Sequence, residues 1–96
     1  MDEDEFEWDA TKAESNLVKH GVGSEAARCV FDDVFALERC DFDSAPGELR
    51  YVITGMLNDV ILTVVYMERS DRTRIISARR ATKHEQEEYY RSQTAQ

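Results

Sequence analysis

The sequence predicts an α+β domain: a small antiparallel sheet with two helices before it and one after it. Three observations lead there. Helical spacing of apolar residues is confined to the two ends of the chain, before Asp32 and after Thr82. Between Phe35 and Arg80 lie runs rich in β-branched and aromatic residues, broken by the turn signals Asn58-Asp59 and Ser70-Asp71. Helices and strands are thus grouped, not alternating, which calls for one sheet with its helices packed mainly on one face. A chain of 96 residues makes a single domain, residues 1–96, with residues 1–5 and 92–96 expected as loose ends.

Taken in order, Met1 to Glu5 is a solvated acidic run, and Phe6 and Trp8 alternate with Glu5 and Glu7 as a short first strand. Asp9 is placed to cap a helix over Ala10–His20, with Ala10, Ala13 and Leu17 on its packed side and Gly21 as its left-handed end. Ser24 caps a second helix running to about Phe31, where Asp32 and Asp33 oppose the helix dipole and favour a stop. Phe35 to Asp41 reads as the second strand, and Ala45-Pro46-Gly47 as a turn. Leu49 to Leu57 alternates as a third strand, closed by the Asn58-Asp59 hairpin. Val60 to Tyr66 is almost continuously apolar, as a central strand covered on both faces should be.

Arg72 to Arg80 is the stretch with chemical content. Strict alternation places Arg72, Arg74, Ile76, Ala78 and Arg80 on one face and Thr73, Ile75, Ser77 and Arg79 on the other. Arg72 and Arg74 would then stand roughly 7 Å apart, near the spacing of phosphates along a single nucleic-acid strand. Thr82-Lys83-His84-Glu85 is a capping box that opens the last helix, expected to dissolve from Ser92.

Charge is segregated along the chain. The formal net charge is -8, yet Glu68 to His84 carries six basic residues against two acidic ones. An acidic body with a local basic island can still hold a polyanion where the island lies. No apolar run approaches a membrane span, and the acidic start is the reverse of a secretory signal, so a cytoplasmic protein is expected. Cys29 and Cys40 suit reduced thiols.

Several chemistries are poorly served. Cys29, Cys40, His20 and His84 lack the spacing of a zinc finger or ribbon. No serine sits in a glycine-flanked turn, and there is no glycine-rich phosphate loop. Two histidines with several arginines and lysines remain, an inventory that suits RNA cleavage without metal or other cofactor: a ribose 2′-hydroxyl attacks the adjacent phosphate while the protein moves protons and neutralises charge. His20 is suited to carry a proton, and equally to a helix-end role against a carbonyl. Lys12, Asn16 and Lys19 form a polar stripe that suits either phosphate or solvent.

Four blocks in order, Phe6-Glu7-Trp8-Asp9, then Lys12, Asn16 and Lys19-His20-Gly21-Val22, then Val30-Phe31-Asp32-Asp33, then Arg74 to Thr82 with Glu85 and Tyr89, resemble the BrnT family of bacterial toxins. The resemblance implies a RelE-like ribonuclease fold, inhibition of translation by RNA cleavage, and neutralisation by a BrnA-like antitoxin, in a larger toxin–antitoxin complex that reaches operator DNA only through the antitoxin. Lys12, Asn16, Lys19, His20, Arg74, Arg79 and Arg80 match family motif positions. The roles assigned are our own inference: Arg74 and Arg79 as phosphate and transition-state clamps, Lys19 or His20 as proton carrier, and Glu85 as support for a clamp or as proton acceptor. Lys12, Asn16, Arg72, Arg80 and Lys83 would bind RNA. The alternative on the same fold is a non-catalytic module that binds the antitoxin and acts as co-repressor. Asn58-Asp59 stands where the family commonly has Gly-Arg, and the last helix is poorer in arginine than is usual there.

Overall fold

The computed structural model describes residues 5–41 and 47–94. It comprises β1 (Phe6–Glu7), α1 (Ala10–His20), α2 (Ser24–Val30), β2 (Leu37–Asp41), β3 (Arg50–Leu57), β4 (Val60–Arg69), β5 (Arg72–Arg80) and α3 (Lys83–Thr94). The acidic residues 1–4 and the Ala45-Pro46 part of the expected turn lie outside the described residues. One five-stranded sheet has the order β1-β5-β4-β3-β2, antiparallel except for the β1–β5 pair. The α+β class, the two leading helices and the single trailing helix are as the sequence predicts.

Local chemistry explains most boundaries. The Asp9 carboxylate accepts from the Lys12 amide at 3.1 Å, and Gly21 closes α1 at φ 70°. Asn58 and Asp59 adopt φ 49° and 68°, the left-handed pair that a tight hairpin needs and that Asn and Asp tolerate. β4 is the middle strand, which accounts for its unbroken apolar run. Three boundaries differ by two residues or more: β2 begins at Leu37, not Phe35, β4 runs beyond Tyr66 to Arg69, and α3 continues through Ser92 to Thr94.

The helices do not share one face. The larger core, with Ala27 and Val30 of α2 against Ile53, Leu62, Val64, Tyr66, Ile75 and Ala78, lies on one side of the sheet. Gly55 is required there, because a Cβ would stand 3.0 Å from Val30 Cγ1 and 3.2 Å from the Val30 carbonyl oxygen. The smaller core, Tyr89 and Ala81 with Ile61, Leu37 and Met56, puts α3 on the opposite side. Neighbouring partners alternate between sheet faces, and Ile61 and Leu62 point opposite ways. Asp33, expected only as a helix stop, ties the two sides together: it accepts from the Phe35 amide at 2.9 Å, the Met56 amide at 2.8 Å and the Tyr89 hydroxyl.

α1 lies along the outer edge of β5. The two-residue β1 covers that edge only at Thr73 and Arg74. Beyond it Asn16 substitutes for a strand: its Oδ1 accepts from the Ala78 amide at 3.1 Å, and its Nδ2 donates to the carbonyls of Ala78 at 2.8 Å and Val22 at 3.0 Å. Both edge groups of Ala78 are thereby satisfied internally. Asn16 is buried while Leu17 is exposed, so the packed side of α1 is not the one its apolar residues suggest.

Replacing Asn16 with Ala should strand both Ala78 edge groups and cost about 2–4 kcal/mol in chemical denaturation. Lys12→Ala, on an exposed turn of the same helix, should stay within about 0.5 kcal/mol.

Candidate active site on the open face of the sheet

The cross-strand register of β4 and β5 changes between Val65 and Tyr66: Val65 pairs with Ser77 but Tyr66 pairs with Ile75, leaving Ile76 as an extra, bulged residue. The bulge resets the alternation of β5. Arg79, opposite Thr63, and Arg74, opposite Met67, share one face, together with Arg72 opposite Arg69. Arg80, opposite the core residue Leu62, belongs to the other. Strict alternation would have separated Arg74 from Arg79 and grouped it with Arg80, so the bulge corrects the face assignment. Carrying the register across β3 and β2 adds Arg50 and Arg39 to the same face. Six arginines thus stand on the side of the sheet that α3 covers only at one end, and a protein of net charge -8 presents a basic surface there.

At the α3 end of this face the capping box and an arginine are locked together. Glu85 accepts from the Thr82 amide at 2.8 Å, and Thr82 Oγ1 accepts from the Glu85 amide at 3.2 Å. The same carboxylate takes Arg79 Nη1 at 2.7 Å and Nη2 at 3.0 Å, and the Thr63 hydroxyl at 3.0 Å. Thr63 Oγ1 in turn lies 3.1 Å from Thr54 Oγ1 inside the sheet. Burial pushes the Glu85 carboxyl up, but the bonds from Arg79, the Thr82 amide and Thr63 outweigh it and hold the group at about 2. The same pairing raises the Arg79 guanidinium above its ordinary value, against the effect of burial. Glu85 grips the two terminal nitrogens end-on, and Nη1 also donates to the Arg80 carbonyl at 3.3 Å. The Nε and remaining Nη2 hydrogens, which form the side fork of a guanidinium, are left to meet an oxyanion.

Toward the other end lies an open cleft of about 450 Å³, lined by Lys12, Glu48, Arg50, Met67, Arg69, Arg74 and Ile76. Arg74 Nη1 donates to Glu7 at 3.3 Å, Arg72 stands 3.9 Å from the same carboxylate, and Arg50 pairs with Glu48 at 3.0 Å. Such partly exposed pairs are weak, so a phosphate can replace the glutamate at little cost. Arg74 and Arg79 are separated along β5 by roughly 15 Å, about the reach of two nucleotides.

A family model described as the ribonuclease toxin BrnT of type II toxin–antitoxin systems matches residues 8–85. The chain belongs to the BrnT family. It is thus a ribonuclease toxin of a type II system, and such a system implies a cognate antitoxin. No curated protein matches the chain. Among the described residues no helix is long and apolar enough to cross a membrane.

In this BrnT-family chain the predicted site residues fall into three groups. Arg74 and Lys12 share the basic cleft, with Arg72 beside it on the same face, and Arg79 and Glu85 form the locked pair. Lys19 and His20 do not join them: both are exposed in the last turn of α1, and Lys19 lines a separate shallow groove with Thr11, Glu14, Ser15 and Val18. Lys83 and Arg80 are exposed on either side of the β5–α3 turn, and Asn16 spends its carboxamide on the sheet edge. Sequence reasoning missed Arg39, Arg50 and Arg69, and the Thr54–Thr63 pair beneath Glu85. Alternation alone would have grouped Arg39 with Arg50 once the β2–β3 register was known; the bulge at Ile76 has no comparable signal.

Glu85 makes a pH prediction. Its carboxyl falls from an ordinary 4.5 to about 2 on folding, so its stabilisation is complete above pH 4.5 and is lost as pH falls toward 2. Glu85→Gln should therefore cost up to about 3 kcal/mol at pH 7, and the gap from wild type in urea titrations should close progressively between pH 4.5 and 2.

Proposed function

We propose that this BrnT-family protein cleaves RNA without a metal ion by drawing the backbone across the open sheet face, with one phosphate in the side fork of Arg79 and another in the Arg74 cleft. The observation that carries the reading is the end-on grip of Glu85 on Arg79, which fixes the guanidinium and leaves its other fork open. In the reaction the 2′-hydroxyl gives its proton to water as its oxygen bonds to phosphorus, the bond to the 5′-oxygen breaks, that oxygen takes a proton from water, and a 2′,3′-cyclic phosphate and a 5′-hydroxyl result. Arg79 neutralises the charge that develops on the phosphorane oxygens. Glu85 acts as a positioning residue and not as the proton acceptor, since its oxygens are taken by Arg79, Thr63 and the Thr82 amide. Lys12, which lines the cleft with Arg74, holds the second phosphate there and stands too far from the reacting phosphorus to carry its proton; Lys19 and His20 lie outside both places.

The antitoxin in this reading is BrnA-like and covers the same basic face, where an acidic or extended partner segment neutralises and blocks at once. Operator DNA is reached through that antitoxin, and the pair works in the cytoplasm.

Arg79→Ala and Arg74→Ala should each lower RNA cleavage, assayed with a chelator present, by about 10²-fold or more, with the circular dichroism spectrum unchanged. Lys12→Ala should weaken RNA binding in the Arg74 cleft and leave the rate at saturating RNA near wild type, and Lys19→Ala and His20→Ala should change neither. A loss of about 10²-fold at Lys19 or His20 would put the proton transfer at the end of α1. Intact RNA from a folded, antitoxin-free preparation would favour the non-catalytic module. Arg72→Glu with Arg74→Glu should weaken antitoxin binding measured by calorimetry; unchanged affinity would place the partner elsewhere.

A further inference from the structure

Beside the Arg79–Glu85 pair, between α3 and strands β2 and β3, lies a second hollow of about 220 Å³. At about 30 Å³ per water it has the space of about seven waters, enough for one nucleobase. Leu37 and Val52 line it with apolar groups, Thr54 and Arg39 stand beside them, and three acidic residues complete the lining, Glu38 from β2 and Glu85 and Glu88 from α3. Neither the locked arginine nor the basic cleft requires such a hollow. Its composition differs from theirs: it joins apolar groups to three carboxylates, with Arg39 as the one cation in its lining.

The three carboxylates are not equivalent, and Glu38 accepts from the Tyr66 hydroxyl. Glu85 already accepts four bonds, at Oε1 from Arg79, Thr63 and the Thr82 amide and at Oε2 from Arg79. Glu88 gives one oxygen to His84 Nε2 at 2.7 Å, in a pair exposed to solvent. It is therefore the acceptor a ligand can engage. A carboxylate only accepts, and it accepts best from two donors side by side. Among the four RNA bases only guanine offers that pair, N1–H and the 2-amino group, on one edge. Adenine and cytosine set an acceptor nitrogen beside their single amino group, and uracil flanks its one N–H with two carbonyls, so each brings a lone pair against the carboxylate. Arg39, in the lining of the same hollow, supplies the guanidinium plane that can stack on the ring, as such planes do on unstacked RNA bases.

We propose that this hollow is a guanine subsite, in which Glu88 reads the N1–H and 2-amino edge of an RNA guanine next to the phosphate held by Arg79. The assignment rests on the open face being the RNA-cleaving surface, and it makes the toxin selective for cleavage beside guanine.

The test is a titration of the ¹⁵N-labelled protein with the 3′-monophosphates of guanosine, inosine, adenosine, cytidine and uridine. Guanosine monophosphate should bind at least about fivefold tighter than the last three, with shifts centred on the amides of Leu37, Arg39, Val52 and Thr54. Inosine monophosphate, which keeps N1–H and lacks the amino group, should fall between. Glu88→Gln should erase the preference, while Glu87→Gln, on an exposed position outside the hollow, should keep it. Equal affinity for all bases, shifts centred elsewhere, a preference that survives Glu88→Gln, or no binding at all would overturn the proposal. Cleavage of RNA at all bases alike would leave the ribonuclease reading standing and remove the subsite. Guanosine binding in the hollow by a protein that leaves RNA intact would do the reverse.

Discussion

The register change at Ile76 is the constraint on which the rest of the site depends. One extra residue between Ser77 and Ile75 turns Arg72 and Arg74 onto the face of Arg79 while Ala78 and Ile75 both stay in the larger core. Without it a strand of this sequence would have to choose: burying Ala78 on one face would send Ile75 to the other, and the arginines would be divided between a packed side and an open one. The bulge satisfies the core and the charge together, and it concentrates basic groups on the side that only α3 partly covers.

Given that face, the fixed elements around it have clear tasks. Asn16 closes the edge of β5 that β1 leaves bare, which holds α1 against the strand and brings Lys12 to the Arg74 cleft. Asp33 anchors α3 through Tyr89, whose hydroxyl burial and the neighbouring carboxylate push up to about 12. Burial opposes the charge on Asp33 itself, but the bonds from Tyr89 and the Met56 and Phe35 amides outweigh it and hold the carboxyl below its ordinary range. With α3 fixed, Glu85 is delivered to Arg79 from one side and Thr63 supports it from beneath. The result is a guanidinium that loses little freedom when it meets a phosphate, which is where preorganised electrostatics differ from a loose basic surface.

Much of the fold was legible in the sequence because its signals are local. The capping box at Thr82, the Asp9 cap, the Asn58-Asp59 turn and the β-branched run of β4 each depend on residues within a few positions, and each appears where expected. What was not legible depends on register and on distant partners. The opposite-face placement of α3 follows from Tyr89 meeting Ile61 and Met56, and the buried role of Asn16 depends on Ala78, 62 positions away. The arginines of β5 were recognised as a group and their faces were misread, since a bulge leaves no mark in composition. Lys19 and His20 match motif positions but end a helix turned to solvent, where spacing along α1 says nothing about the sheet.

The central claim is that Arg74 and Arg79 meet one RNA strand on a single face. Its most direct measurement is the guanidinium Nε–H resonances of the protein bound to a short RNA made uncleavable by a 2′-deoxy nucleotide. The account predicts that Arg74 and Arg79 shift together, with the intervening Val65 and Ser77 amides, while Arg80 stays unmoved. A response from Arg80 together with Arg74, with Arg79 silent, would contradict it.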